Sequence, residues 1–501
     1  MSIKEILSIH QNNKNAVIVY GMNTITYCSL YQVVKKHSNN FRLDQMLFRN
    51  VGIFLPNSLN YVISYFLVAF IDKVIVPMNT NMKGAEIRNQ IEYCELELII
   101  TDSSNFDILK KHLKDSRYRI NIYLIDTMSF EEVGRNEKMI ITESMNDLND
   151  TALMLHTSGS LSKPKIVMLT NKNLSACSKS IIRSLEIKAT DKTLISLPLF
   201  LASANTSQLL THMYIGATII IMDAIFTARY FFRLVEKHGI TNFTGVPYMM
   251  NLILESEQKL NYNLSSLRFI CYGGAPANID KIRQLMDIFP NISFVHMYGQ
   301  TEASTRITHL LPPYTFTKLG SVGKPISGVE IRVVNSYGSD VDNGEIGEII
   351  VQGENVMKGY YKRSEETNET IRNGWIYTGD LGRFDQDNFL YITGRKRNMI
   401  IKGGMNIYPE EIEEVLLRHH QVNEACVTGV KDDIFGEVPI AYIVKKNDYE
   451  DIPEEELIDY CYTYLTNYKI PHKFSFIKEL PKTASGKIDR NSVNLIYNRI
   501  T

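Results

Sequence analysis

The stretch that decides the reading is Ala152-Leu-Met-Leu-His-Thr-Ser-Gly-Ser-Leu-Ser-Lys-Pro-Lys165. An apolar strand, Ala152–Leu155, runs into a loop of small and hydroxyl residues, and helix-like sequence resumes at Asn171. Strand, small-residue loop and helix form the repeating unit of an α/β fold with a mainly parallel sheet. β-Rich runs extend the pattern on both sides. Val51–Leu55, Val74–Val76, Leu98–Thr101 and Ile122–Ile125 precede the loop; Thr193–Leu197, Thr218–Met222, Asn242–Gly245 and Phe269–Tyr272 follow it. The loop, Thr157–Lys165, offers backbone N–H groups, hydroxyls and the cations Lys163 and Lys165, which is what a polyphosphate needs. No Gly-Lys-Ser/Thr ends it, so it is not a P-loop, and alone it reads as readily as a plain turn.

The alternation stops near residue 329. Val329-Glu-Ile-Arg-Val-Val, a polar turn at Tyr337-Gly-Ser-Asp, and Gly347-Glu-Ile-Ile-Val predict a β-hairpin in a small antiparallel subdomain. The last hundred residues predict a separate α+β unit. Pro409-Glu-Glu-Ile-Glu-Glu-Val opens a helix, with its acids facing the helix dipole. Glu424–Val430 and Ile440–Val444 read as strands. Leu457, Ile458, Cys461, Leu465 and Tyr468 share one face of a helix that Ile470-Pro471 should end. The charged turn Gly394-Arg-Lys-Arg-Asn398 marks the boundary. The expectation is a large α/β domain over 1–396, with parallel sheets and a small β subdomain, and a small mobile α+β domain over 397–501.

Composition narrows the class. Hydrophobic residues make up 44% and charged residues 22% of the 501, which excludes collagen-like and disordered readings. The formal charge of −1 argues against a general nucleic-acid or membrane-surface binder. The six cysteines, Cys28, Cys94, Cys177, Cys271, Cys426 and Cys461, form no CxxC pair, so neither a zinc ribbon nor a disulfide framework is expected. The longest apolar run, Tyr61–Ile71, falls short of the roughly 20 residues of a membrane span. Met1-Ser-Ile-Lys-Glu carries no secretory pattern, and a cytoplasmic location is expected.

Three more segments carry chemistry. Tyr298-Gly-Gln-Thr-Glu302 sets a hydroxyl and a carboxylate after the apolar run Ile292–Val295, a pair that could hold Mg²⁺ and phosphate oxygens. Trp375-Ile-Tyr-Thr-Gly-Asp380 ends in a carboxylate able to accept both hydroxyls of a ribose. Thr483-Ala-Ser-Gly-Lys-Ile-Asp-Arg490 places Lys487 in a Gly-flanked loop. Each is weak alone. In this order, with Gly320-Ser-Val-Gly-Lys-Pro325, Asn355-Val-Met-Lys-Gly-Tyr-Tyr361 and Gly394-Arg-Lys-Arg-Asn-Met-Ile-Ile-Lys-Gly-Gly404, they resemble the adenylate-forming superfamily. That family includes acyl-CoA synthetases, peptide-synthetase adenylation domains and luciferases. The likeness runs from about residue 10 to 495.

The resemblance implies a reaction and assigns roles. A carboxylic acid attacks the α-phosphate of ATP, giving acyl-adenylate and pyrophosphate, and a thiol then takes the acyl group. Thr157, Ser158, Gly159, Ser160, Lys163 and Lys165 would hold the β- and γ-phosphates. Thr301 would contact the α-phosphate and Glu302 would ligate Mg²⁺. Gly273, Gly274, Ala275, Pro276 and Tyr298 would flank adenine, while Asp380 and Arg395 would hold the ribose. Lys487 would stabilise charge during adenylation. The acid pocket would include Phe200, Leu201, Asn205, Tyr248, Tyr272, Gly299 and Ser304. The small domain would turn about Arg397 between half-reactions, bringing Gly403 and Gly404 beside the thiol tunnel.

The sequence departs from the family loop at Leu161, Ser162 and Ile166, where Thr, Gly and Gly are usual. Leu201 stands where many relatives carry His after Pro-Leu-Phe. Phe200–Asn205 lacks the Asp that pairs with an α-ammonium, so an acyl or aryl acid is expected rather than an α-amino acid. The expected thiol is CoA. Two alternatives stand beside this reading: a carrier-protein phosphopantetheine, the carrier acting in trans, and a non-catalytic ligand-binding module.

Overall fold

The computed structural model describes residues 1–41, 48–114, 116–135, 150–157, 165–446, 452–483 and 487–500, without the side chains of 496–500. Four sheets are present among the described residues. An eight-stranded sheet runs in the order Gly359–Tyr360, Ile166–Thr170, Thr151–His156, Val74–Pro77, Asn50–Ile53, Leu98–Thr101, Ile120–Leu124, Ser129–Val133. A nine-stranded sheet runs Lys324–Pro325, Thr308–Leu310, Ser293–Tyr298, Phe269–Gly273, Asn242–Gly245, Lys192–Ile195, Thr218–Ile221, Val17–Tyr20, Asn23–Thr26. Both are parallel at the centre and antiparallel toward their edges. The central strands are near-continuous runs of buried apolar residues, as strands covered on both faces must be. One large core links the two sheets through the helix Leu59–Phe70, whose Tyr61, Tyr65 and Phe66 are fully buried.

The antiparallel subdomain is present as expected. Val329–Val334 pairs with Gly347–Gly353, which pairs with Trp375–Phe384, and Leu390–Arg395 joins the latter. After Met399 a further sheet forms from Met405–Ile407, Ile400–Lys402, Gly436–Lys445, Val422–Asp432 and Lys473–Phe476, with its own apolar core. The predicted helix through Tyr468 is shorter than expected: it covers Glu454–Tyr464, and Leu465 is extended. Tyr460, Tyr462, Thr463, Tyr464 and Thr466 crowd its last turns with weak helix formers. Leu465 and Ile470 still reach the core, through a 3₁₀ turn at Asn467–Lys469.

Ile166, one of the three departures from the family loop, has a structural place. It opens a strand, is fully buried, and its carbonyl accepts the N–H of Tyr361 at 2.8 Å. Its place is the core beneath the loop, where a branched side chain packs well and glycine freedom is not needed.

Candidate active site

A cleft of about 2920 Å³ opens where strands end at Gly245, Gly273 and Tyr298, and the C-terminal sheet closes its other side. Ligands of open α/β sheets bind at the carboxyl ends of strands. The cleft exceeds the roughly 300–1,000 Å³ of a single small-molecule pocket, so it has room for a nucleotide and a second substrate together.

Asp380 is the polar centre. It is buried on Trp375–Phe384, and its register partner on the next strand is Arg395. Arg395 Nε lies 3.0 Å from one carboxylate oxygen, and Tyr298 donates its hydroxyl to the other at 2.7 Å. Burial, then the Asp380 charge, holds the Tyr298 hydroxyl well above its usual range, so it stays a donor. Two more contacts brace the strand: Gly379 N–H donates to Glu348, and Lys396 pairs with the same carboxylate at 2.8 Å. Glu302 sits in a short 3₁₀ turn, where its side chain accepts from the Tyr360 hydroxyl at 2.8 Å. No described residue forms an ion pair with Glu302. A part-buried carboxylate without a cation, beside the Thr301 hydroxyl, is a donor set that suits Mg²⁺.

Two of the expected phosphate-loop residues are described. Thr157 donates its N–H to Lys165 carbonyl at 3.0 Å, pinching the base of the loop, and Lys165 Nζ lies 4.7 Å from the Tyr360 ring. Ser158, Gly159, Ser160, Lys163, Leu161 and Ser162 lie outside the described residues. On the expected adenine side, Gly273 cannot take a Cβ, which would stand 2.2 Å from Met297 carbonyl. Gly274 has φ +81° and nothing within 4 Å of where a Cβ would stand, so its backbone faces open cleft. Ala275 and Pro276 line the same wall.

Lys487 reaches into the cleft from the C-terminal side. Burial lowers its pKa first, the Arg395 and Arg397 charges lower it further, and Asp380 and Glu302 pull it back. The lysine therefore stands among the groups the sequence assigned to ribose and metal. Its segment is anchored by Arg490, whose guanidinium donates to Glu413 and to Val427 carbonyl, at 2.6 and 2.5 Å. Gly394 packs so closely on Glu410, at the start of the helix Pro409–Leu417, that a Cβ would stand 2.5 Å from its carboxylate. Arg397 lies in the 3₁₀ turn Lys396–Asn398, exposed at the cleft wall. Gly403 and Gly404 are exposed and do not line the cleft in this arrangement.

On the acid side, Phe200, Leu201, Tyr248, Tyr272 and Gly299 line the cleft. Tyr272 stacks on His296 with ring centroids 4.7 Å apart. Two assignments are corrected. Asn205 is fully buried and donates to the Tyr61 hydroxyl and Leu199 carbonyl, both at 3.2 Å. It belongs to a π-helical segment, Ser203–Leu210, whose wider turn faces Asn205 to the core. Ser304 has φ +50°, which turns its hydroxyl away to donate to Asn355 carbonyl at 2.7 Å. Thr305, with φ +78°, takes its place on the cleft wall.

Sequence reasoning missed two wall residues. His156 ends the strand before the phosphate loop; its Nε2 is buried with no partner among the described residues, and burial pushes its pKa down to about 4. Arg306 is 2% exposed, and its Nε has no partner among the described residues. An arginine four residues after Glu302 looks like an ordinary turn residue in the sequence, and only its burial sets it apart.

The chain matches two family models: AMP-binding enzyme over residues 8–361, and the AMP-binding enzyme C-terminal domain over residues 411–487. A 2-succinylbenzoate–CoA ligase from Bacillus licheniformis is 33% identical over 480 residues, covering 95% of this chain and 96% of the relative. One from Bacillus cereus is 34% identical over 447 residues, covering 89% and 88%. Among solved structures, o-succinylbenzoate CoA synthetase from Bacillus subtilis, in complex with its acyl-adenylate intermediate, superposes with a TM-score of 0.86. The two are 31% identical, over 98% of both chains. The same enzyme with ATP and magnesium ion gives 0.84 at 30% identity, over 99% of both. With the family models covering most of the chain and full-length relatives above 30% identity, this protein belongs to the AMP-binding enzyme family.

Proposed function

We propose that this chain activates an aryl-keto acid of the 2-succinylbenzoate class with MgATP and passes the acyl group to CoA. The observation that carries the reading is the convergence of Lys487, Asp380 with Arg395, and Thr301 on one cleft of an AMP-forming acid–thiol ligase, with the Glu302 charge acting on Lys487. The named relatives support the acid and the acceptor.

In this reading Asp380 accepts both ribose hydroxyls and Arg395 holds that carboxylate in place. Tyr298 and the Gly273–Pro276 wall hold adenine, and Thr157 and Lys165 take phosphate oxygens. Glu302 and Thr301 would hold Mg²⁺, which neutralises phosphate charge. The acid carboxylate attacks the α-phosphorus: a carboxyl O–P bond forms, and the bond to the pyrophosphate oxygen breaks with its electron pair. Lys487 meets the negative charge that builds on the α-phosphoryl oxygens. A preorganised cation in a partly dry cleft is worth about 3–4 kcal/mol at such a point. The thiol then displaces AMP. Transfer requires Lys487 to withdraw and the Gly403–Gly404 loop to approach, by rotation of residues 397–501 about Arg397.

Pyrophosphate release and thioester formation, measured separately on Lys487→Ala, test the assignment. Adenylation should fall by about 10²–10³. Thioester formation from pre-made acyl-adenylate should stay within a few-fold of wild type. Equal loss in both halves would contradict the role.

A further inference from the structure

Among the described residues, Arg306 is a cation without an anion. It follows two residues held in the left-handed region, Ser304 and Thr305, a backbone that persists only when its surroundings fix it. Those surroundings are visible. Asn355 donates to Ala303 carbonyl at 3.0 Å and to Arg306 carbonyl at 2.9 Å, while its own carbonyl accepts from Ser304. Thr305 hydroxyl bonds Thr206 at 3.0 Å and also Ser207, both on the π-helical segment of the acid side. The loop is thus clamped from both sides, and it delivers Arg306 to the cleft wall with its side chain buried.

The groups beside the guanidinium are all neutral. Burial pushes the Cys177 thiol up to about 12 and the Cys271 thiol up to about 11, and it holds His309 well below its usual range. His309 Nε2, like Arg306 Nε, is buried with no partner among the described residues. No described carboxylate forms an ion pair with Arg306. A buried ion without a counter-charge costs several kcal/mol. A protein keeps such a group where an incoming ligand supplies the charge. In the reading above the reacting carboxylate lies at Lys487, so the charge that Arg306 awaits is a different one.

We propose that Arg306 is a specificity-determining residue whose guanidinium binds a second carboxylate of the acid, the one that is not activated. The inference rests on the ligase reading above and deepens it by naming the residue that reads the acid's second carboxylate. A site built around a buried polar group rejects the analogue that leaves it unpaired.

The test compares two acids, 2-succinylbenzoate and 4-phenyl-4-oxobutanoate, which differ only by the ring carboxylate. Pyrophosphate release is read with saturating MgATP for wild type, Arg306→Gln and Arg306→Lys. Wild type should prefer the dicarboxylate by about 10² or more in kcat/KM. Arg306→Gln should shrink that ratio to a few-fold, mainly through KM for the dicarboxylate, leaving KM for ATP and turnover of the monocarboxylate near wild type. Arg306→Lys should recover part of the preference. The ligand-free Tm of Arg306→Gln should equal or exceed wild type, because it removes an unpaired buried charge. An unchanged preference in Arg306→Gln, or an equal loss with both acids, would overturn the proposal. Wild type that prefers monocarboxylates would overturn it while leaving the ligase reading intact. Wild type that uses glutarate or phthalate but not 2-succinylbenzoate, again with Arg306 dependence, would keep Arg306 and refute the 2-succinylbenzoate class. If no acid releases pyrophosphate, calorimetric binding of the same pair decides: preference lost in Arg306→Gln supports the proposal, and its absence overturns it.

Discussion

Asp380 shows how one side chain serves both structure and site. Its two oxygens already hold Arg395 and Tyr298, so the carboxylate is fixed in place before any nucleotide arrives. Asp380→Asn keeps the shape and removes the charge. It should raise KM for ATP by about 10–100-fold, since hydrogen bonds to charged groups are worth roughly 1.5–3 kcal/mol, with little change in Tm. Steady-state kinetics and a melting curve check both parts. For single residues the sequence is legible where a motif fixes the backbone. The ordered motifs single out Asp380, Arg395, Glu302 and Lys487, and the structure brings them together. It is illegible where a local backbone choice redirects the side chain. Ser304 turns away because its φ is positive, and Asn205 faces the core because its helix is wide; neither property shows in residue type. Arg306 escapes notice in the sequence because burial, the property that distinguishes it, belongs to the folded chain.

Among the elements, the strands are legible because buried parallel strands are continuous apolar runs. The end of the helix Glu454–Tyr464 is not, because an apolar face continues past it through extended residues that also reach the core. Two half-buried histidines at the cleft give a prediction about the strands that carry them. His156 and His296 lie on strands of the two large sheets at the cleft, and burial pushes both down to about 4 from an ordinary value near 6.5. Between those values the unfolded chain binds protons that the folded chain refuses. Their contribution to stability is therefore present above about pH 6.5 and is lost as pH falls toward 4. His296→Gln should flatten the fall in Tm between pH 7 and pH 4.5 relative to wild type, and an unchanged slope would contradict this. A second prediction concerns the anchor of the Lys487 segment. Arg490→Ala strands Glu413 in the C-terminal unit, and breaking a buried pair costs about 3–5 kcal/mol. Denaturant unfolding should show the C-terminal unit lost first.

For the whole molecule, the arrangement presents Lys487 to the cleft while Gly403 and Gly404 stand outside it. In the proposed function, rotation of residues 397–501 brings Gly403 and Gly404 to the cleft for the second half-reaction. The turn Lys396–Asn398 is a short charged connection that can absorb a backbone change without disturbing a core. Arg397→Pro, which fixes one φ there, should leave pyrophosphate release within a few-fold of wild type and slow CoA transfer by about 10-fold or more, whereas Arg397→Ala should spare both. The decisive experiment is pyrophosphate release from the purified protein with MgATP and 2-succinylbenzoate, with and without CoA. A ligase of this class should give about one equivalent of pyrophosphate and bound acyl-adenylate without CoA, then continuous AMP and thioester formation once CoA is added. No pyrophosphate with this acid or any other carboxylic acid would contradict the assignment.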